Sequence, residues 1–366
     1  MALSLAAVVL TLPVRGPGPS KPGEPTVPDP ADIAVVGGGP AGLHAALKAA
    51  LLYHTALVFD KGPRHSRIFF APRIDNIPGF PGGISGAQLL KAQRAHIVEY
   101  ERDRGRRFVE FVEPAEATSV RRPAPGGPFE ITARMVKTGA EVVRRARAVV
   151  LATGLVDRQP YLGEPGARDI RPILPYANKG TVNYCLLCDA HTVEGKRVAV
   201  VGADAEAFGI APSLRDHFGA EVKVIACIPC ALGEPHDKAA THGALDQASR
   251  ETGIPLIVQG ITAVSGTRGG GIGFTLEDGT VEHFDLAFLS LGWWKMNTEL
   301  AVQLGAALDP AGYVRTSADC EVLDKDGRAI DGLFAIGDIR SNTWNQIPIG
   351  IGDAETAVIH AFAEHL

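Results

Sequence analysis

The stretch Ile33-Ala34-Val35-Val36-Gly37-Gly38-Gly39-Pro40-Ala41-Gly42 passes from an apolar strand pattern, through consecutive glycines, into the helical run Leu43 to Leu52. A second strand pattern, Ala56 to Phe59, ends on Asp60 and is followed by Lys61. This is the β-turn-α-β fingerprint of a dinucleotide site. Gly37 serves the turn, Gly39 lets the backbone approach a pyrophosphate, Gly42 lets helix and strand pack, and Asp60 suits a ribose hydroxyl. The glycines leave the helix N-terminus free to hold anionic phosphate.

Moving outward, the strand pattern Ala148 to Leu151 runs into Ala152-Thr153-Gly154, and Gly332 to Ile336 runs into Gly337-Asp338. Strand ends followed by small residues are where an open α/β sheet receives its ligand. A second β-turn-α pattern begins with the strand Arg197 to Val201, followed by Gly202 and a helix from Glu206. Its next strand is Glu221 to Ala226. Between the two patterns lies Tyr184-Cys185-Leu186-Leu187-Cys188-Asp189. A C-x-x-C brings two sulfurs close enough for a readily reduced disulfide, and a flanking acid can return a proton to a thiolate. The same spacing could be half of a zinc site. A closed zinc site needs four ligands, and the other candidates do not assemble cleanly, so no metal is expected.

The chain has 366 residues, 46% of them hydrophobic, which is enough for two domains with cores of their own. Its net charge of -5 gives no global reason to bind nucleic acid. No apolar run approaches the ~20 residues needed to cross a bilayer. Five cysteines, with two C-x-x-C spacings, suit a reducing, cytoplasmic compartment rather than a secreted disulfide framework. Ala2 to Leu12 is apolar, but no Lys or Arg precedes it, and Pro13 to Pro30 is rich in Pro and Gly. Residues 1–31 are therefore expected to be a flexible tail rather than an export signal.

Taken in order and spacing, Gly37 to Gly42, Ala152-Thr153-Gly154, Cys185 to Asp189 and Ala335-Ile336-Gly337-Asp338 resemble the low-molecular-weight thioredoxin reductases and their flavoprotein relatives. The resemblance covers nearly everything from Asp32 onward. Asp75-Asn76-Ile77-Pro78-Gly79 is similar to the family's Glu-Asn-Trp-Pro-Gly. Gln346 falls where the family has the Gln of Arg-Gln-Ala, with Asn345 and Ile347 as its neighbours here. Gly292 to Thr298 is similar to Gly-x-x-Pro-Asn-Thr, with Met296 in place of Pro.

The resemblance implies an α/β protein of two Rossmann-like three-layer domains. The FAD domain would be discontinuous, residues 32–155 and 288–366, with a dithiol domain inserted at 156–287. Linkers near Val156 to Arg158 and Ala287 to Leu291 would allow rotation. FAD would be held by Gly37, Gly39, Pro40, Ala41, Gly42, Asp60, Lys61, Asn76, Ala152, Thr153, Gly154, Gly337, Asp338, Gln346 and Ile347. Cys188 would face the flavin, Cys185 would attack the substrate disulfide, and Asp189 would donate the proton. Thioredoxin or a similar dithiol protein is the implied partner, and a homodimer the implied assembly, to which an apolar helix near Ala354 to Phe362 could contribute.

The second nucleotide pattern departs from the family. Its Gly-x-Gly-x-x-Ala turn is here Gly202-Ala203-Asp204-Ala205-Glu206-Ala207, so Asp204 occupies the close-approach position. One like-charge contact with pyrophosphate at ~4 Å costs on the order of 4 kcal/mol at an effective dielectric near 20. The family's His-Arg-Arg, which grips a 2′-phosphate, is replaced by Cys227-Ile228-Pro229-Cys230. The expectation is a relative that does not use NADPH efficiently and is fed by ferredoxin. Arg102, Arg104, Arg106, Arg107, Arg121, Arg122, Arg144, Arg145 and Arg147 could steer an acidic carrier, or could simply be a solvated face.

Other readings stay open at this level. The protein could be an FAD-dependent dithiol oxidase passing electrons to oxygen, an ordinary NADPH-thioredoxin reductase, or a flavin redox sensor. Cys227 and Cys230 could be a second redox dithiol, incidental loop cysteines, or zinc ligands together with Cys185 and Cys188. Cys320 reads as buried or incidental. Trp344 could lie beside the flavin because Gln346 does, Trp293 and Trp294 fall near a linker, and His191 reads as a solvated turn residue.

Overall fold

The computed structural model describes residues 27–160, 162, 171–203, 205–227, 238–341 and 343–366. The chain divides into two compact units. One comprises the residues up to Phe70, Asp75–Val156 and Met296–Leu366, and the other Ala71–Ile74 and Asp157–Lys295. Each unit contains a sheet with parallel strands of Rossmann-like type, as the α/β reading expects; that of the first unit also carries antiparallel strands.

In the first unit the sheet path is Glu321–Leu323, Ala329–Ala335, Glu141–Leu151, Ala31–Val36, Ala56–Phe59 and Val109–Val112. Ala31–Val36 shows why it sits centrally. Its Ala34 and Val36 enter one buried cluster, while Ile33 and Val35 enter another on the opposite face. A strand apolar on both faces needs cover on both sides, which parallel sheets receive from their crossover segments. The Ala-rich helix Pro40–Leu51 supplies part of that cover and packs against the C-terminal helix Ile347–Glu364. The helix Gly86–Arg104 also packs on it. That helix starts with a Ser85/Gln88 capping box and ends at Gly105 in the left-handed conformation.

Val36 and Ala335 are both in register with Leu151 of the strand between them. The turns after these three strands therefore leave the sheet at one level. Here the strand order also reverses, since Ala31–Val36 lies between its successor and a strand from much later in the chain. That is the crevice in which open α/β sheets bind ligands.

The second unit has a five-stranded parallel sheet in the order Leu256–Val258, Glu221–Ala226, Arg197–Gly202, Leu286–Ser290 and Val182–Asn183. A separate antiparallel sheet comprises Ile261–Gly266, Ile272–Leu276 and Val281–Phe284. The return linker expected near Ala287 to Leu291 lies elsewhere. Leu286–Ser290 is a buried strand paired with both Arg197–Gly202 and Val182–Asn183, and the chain passes back between Lys295 and Met296. The continuous apolar and buried run Leu286 to Leu289 suits a doubly covered strand better than a solvated hinge. Asp204, Cys230 and residues 1–26 of the expected tail lie outside the described residues.

Candidate active site

The first turn of the cradle is fixed by contacts that tolerate only glycine. Gly37 has φ +114°, and a Cβ there would stand 2.2 Å from the carbonyl oxygen of Ala152. A Cβ on Gly42 would stand 1.9 Å from the carbonyl oxygen of Gly37. Gly39 is the N-cap of Pro40–Leu51 and has no side-chain cap, with Pro40 and Ala41 opening the helix. The helix N-terminus is thus not blocked by its own side chains, as a phosphate seat requires.

Asp60 ties down the glycine loop with both carboxylate oxygens. Its Oδ2 accepts the Gly38 N–H at 2.7 Å, and its Oδ1 accepts the Gly62 N–H at 2.7 Å. A carboxylate has about four acceptor sites, so both oxygens can tie down the loop and still take a hydroxyl. Lys61 pairs with Glu116 at 3.3 Å.

Further candidate residues converge from distant sequence. The Asn76 side-chain amide donates to Gln346 Oε1 at 2.8 Å, joining two residues 270 positions apart. Gln346 is the N-cap of the C-terminal helix, whose first residue is Ile347. Thr153 Oγ1 donates to the Asn297 carbonyl at 2.6 Å, and Asn297 Nδ2 donates back to the carbonyls of Thr153 and Gly154 at 3.0 and 3.1 Å. Gly337 donates its N–H to Asp353 Oδ2 at 3.1 Å, and Asp338 lies 3.6 Å from the Arg67 guanidinium. Trp344 is 69% exposed.

Sequence reasoning missed three supporting residues. Asp353, buried in the C-terminal helix, is paired with Arg340, and burial pushes its carboxyl above the usual range. Asn297 clamps the Thr153-Gly154 turn. Gln93 donates to the Pro40 carbonyl at 3.2 Å, while its own buried Oε1 has no hydrogen-bond partner. The only sequence signal for Asp353 was an acid on an otherwise apolar helix face. These observations fit a bound FAD. The cradle has glycine turns in which a Cβ would collide with backbone, an uncapped helix end and an orphaned buried oxygen beside the helix start.

In the second unit Cys185 and Cys188 are disulfide-bonded, with Cα atoms 5.3 Å apart. Cys185 is the N-cap of the short helix Leu186–Asp189, and its sulfur accepts the Cys188 N–H at 3.1 Å. Leu187, between the two cysteines, is 63% exposed, so the disulfide is carried on an open turn. Asp189 follows directly on the same helix, and Thr192 Oγ1 donates to its carbonyl at 2.7 Å. Tyr184 donates its hydroxyl to Gln159 Oε1 at 2.6 Å, bracing the residue before Cys185.

At the second nucleotide pattern, Gly202 and Ser290 end adjacent parallel strands in register. Cys227 follows the next strand, is 1% exposed and is disulfide-bonded, and its sulfur accepts the Ile261 N–H at 3.4 Å. Cys320 is a free, buried thiol that burial pushes up to about 12. Much of the arginine-rich surface is neutralised internally. Arg121 pairs with Glu130, Arg122 with Asp331, Arg144 with Glu110 and Arg145 with Asp29. Among the described residues no helix is long and apolar enough to cross a membrane.

The family described as pyridine nucleotide-disulphide oxidoreductase matches residues 31–354. A bifunctional thioredoxin reductase/thioredoxin of Mycobacterium leprae is 27% identical over 344 residues, which cover 91% of this chain and 66% of that protein. The chain therefore spans about two thirds of that relative's length. A thioredoxin reductase of Mycolicibacterium smegmatis is 26% identical, with 90% of this chain and 95% of that protein covered. The crystal structure of thioredoxin reductase from Streptococcus pyogenes matches with a TM-score of 0.68 at 21% identity, covering 91% of this chain and 97% of that one.

Proposed function

Because the chain belongs to the pyridine nucleotide-disulphide oxidoreductase family, we propose that it reduces the disulfide of thioredoxin or a similar dithiol protein, fed by ferredoxin rather than NADPH. The family carries electrons on FAD, and this chain is accordingly an FAD-dependent, thioredoxin reductase-like oxidoreductase acting on a sulfur group. The observation that carries the reading is the Cys185–Cys188 disulfide on its exposed turn, followed at once by Asp189.

Gly37, Gly39, Pro40, Ala41 and Gly42 would hold the pyrophosphate, and Asp60 a ribose. Lys61, Asn76, Ala152 to Gly154, Gly337, Asp338, Gln346 and Ile347 would complete the cradle. When bound, FAD would supply the electron pair needed to reopen the Cys185–Cys188 disulfide. The Cys185 thiolate then attacks the substrate disulfide, forming a mixed disulfide and expelling one substrate thiolate. Cys188 displaces the second substrate sulfur and restores its bond to Cys185. Two electrons thus leave the dithiol and the substrate departs as a dithiol, with Asp189 returning a proton to a leaving thiolate.

The donor assignment rests on the second nucleotide pattern. Asp204 stands in sequence where pyrophosphate needs a glycine, and the buried, oxidised Cys227 stands where the family has phosphate-gripping arginines. The internally paired arginines give that assignment little support. The assembly we propose is a cytoplasmic homodimer, to which Ile359 and Phe362 on the C-terminal helix offer exposed apolar surface.

Anaerobic reduction of the holoprotein with defined donors tests this. Reduced ferredoxin should bleach the flavin and drive thioredoxin reduction, while NADPH leaves it yellow. Rapid bleaching by NADPH would remove the donor assignment. Peroxide release on adding a dithiol, without disulfide reduction by either donor, would favour the oxidase instead. Cys185→Ser and Cys188→Ser should each abolish turnover while FAD stays bound.

A further inference from the structure

Away from the cradle, two imidazoles and a carboxylate converge where the C-terminal helix meets the sheet edge. Glu321 begins the edge strand, His360 lies in the last turns of the helix, and His365 is the residue capping its end. One donor atom from each lies within 4.8 Å of the other two. Glu321 Oε1 is 3.5 Å from His360 Nε2 and 3.8 Å from His365 Nε2. His360 and His365 are five apart, too far to share a continuous helical face. Because the helix ends at Glu364, His365 can bring its ring back beside that of His360, with ring centroids 6.0 Å apart. The Phe334 ring packs edge-on against both imidazoles, at 6.1 and 5.7 Å.

The outer contacts set the chemistry. His365 Nδ1 lies 3.0 Å from Asp331 Oδ1, and the other oxygen of Asp331 is held by Arg122 at 2.7 Å. An imidazole that donates Nδ1–H to a carboxylate presents its Nε2 lone pair on the far side, the arrangement found behind metal-ligating histidines. That Nε2 is buried and has no hydrogen-bond partner. It faces Glu321 Oε1, so an acceptor lone pair looks at a carboxylate oxygen across a gap too long for a hydrogen bond. A cation between them turns this mismatch into coordination. With bonds near 2.1 Å, tetrahedral zinc needs donors about 3.4 Å apart, close to the two distances already present.

We propose that Glu321, His360 and His365 form a binding site for a borderline divalent cation of the zinc class, clasping the end of the C-terminal helix to the Glu321 strand. Two imidazoles and one carboxylate suit zinc better than calcium or magnesium, which prefer all-oxygen shells. Water completes the fourth position. The site is independent of the Cys185–Cys188 dithiol and needs none of the five cysteines.

The test is zinc titration of the untagged, oxidised holoprotein, followed by metal analysis after gel filtration. One zinc per chain should be retained with a Kd of about 1 μM or tighter, equivalent to about 8 kcal/mol, and the melting temperature should rise by a few degrees. Glu321→Gln and His360→Gln should each weaken binding at least about 10-fold. Cys185→Ser/Cys188→Ser should bind zinc like the parent. X-ray absorption of the zinc-loaded parent needs no variant and should show imidazole scattering with no sulfur. Absence of retained zinc, a sulfur shell, or undiminished binding by the two ligand variants would each overturn the proposal.

Discussion

The carboxylate of Asp60 accepts the backbone N–H of Gly38 at 2.7 Å, tying the end of one strand to the glycine turn that follows its neighbour. This makes Asp60 a part of the glycine loop's framework, in addition to the ribose contact proposed for it. Asp60→Ala should therefore loosen FAD by more than the loss of one ribose contact. Hydrogen bonds to a charged group contribute about 1.5–3 kcal/mol each, so a fall of at least ~100-fold in FAD affinity is expected. Asp60→Asn should recover part of it. Flavin fluorescence on titrating apoprotein with FAD measures the change, and unaltered affinity in Asp60→Ala would refute the framework role.

Gly42 and Gly209 make a matched pair of helical glycines. At Gly42 a Cβ would collide with the Gly37 carbonyl, which cannot swing away as a side chain could, whereas at Gly209 nothing lies within 4 Å. Gly42→Ala should destabilise the fold by about 3 kcal/mol or more, the upper range for overpacking. Gly209→Ala should be neutral or stabilise by up to ~1 kcal/mol through helix propensity. Urea denaturation with matched m-values separates the two, and equal effects would contradict the contact geometry.

Arg340 and Asp353 form a buried pair behind the Gly337 turn. Removing only the cation leaves a buried carboxylate that also accepts the Gly337 N–H. Arg340→Ala should cost about 3–5 kcal/mol, and adding Asp353→Asn should restore a good part of that. Burial already holds the Asp353 carboxyl above its ordinary value. A raised carboxyl is favoured in its neutral form, so Arg340→Ala should become relatively more stable as pH falls toward 5. A single variant as stable as the parent at pH 7 would show the pair to be dispensable.

Cys320 provides an alkaline signature. Its thiol is pushed from 9.0 to about 12 by burial, and the sulfur donates to the Asp353 carbonyl at 3.7 Å. The unfolded chain loses this proton first, so the contribution is complete below pH 9 and is lost as pH rises toward 12. Between pH 8 and pH 10 the parent should lose about 1.4 kcal/mol more than Cys320→Ala. Chemical denaturation at the two pH values gives the difference, and parallel curves would remove Cys320 as its source. In the oxidised native protein the same thiol should resist alkylation at pH 8.

The paired strands of the first unit were legible from the sequence because their pattern is local. An apolar run, a glycine turn and a helix specify one another within about thirty residues. The Cys185–Cys188 dithiol was legible for the same reason, since three-residue spacing alone brings the sulfurs together. The C-terminal boundary of the second unit is not legible locally, because Leu286–Ser290 reads the same whether it joins a sheet or precedes a linker. Only its pairing with Arg197–Gly202 decides.

By itself, then, the sequence determined the α/β class, the glycine turn and the adjacent Cys185–Cys188 pair, all properties of contiguous residues. The tertiary structure alone decided that Asn76 meets Gln346, that Asn297 clamps Thr153, that Asp353 braces Gly337, and that donor atoms of Glu321, His360 and His365 come within 4.8 Å of one another. Polar side chains far apart in the chain carry no periodic signal. Their partners are chosen when the sheet register and the helix packing bring them within hydrogen-bonding distance, at positions where an unpaired polar group would be costly to bury.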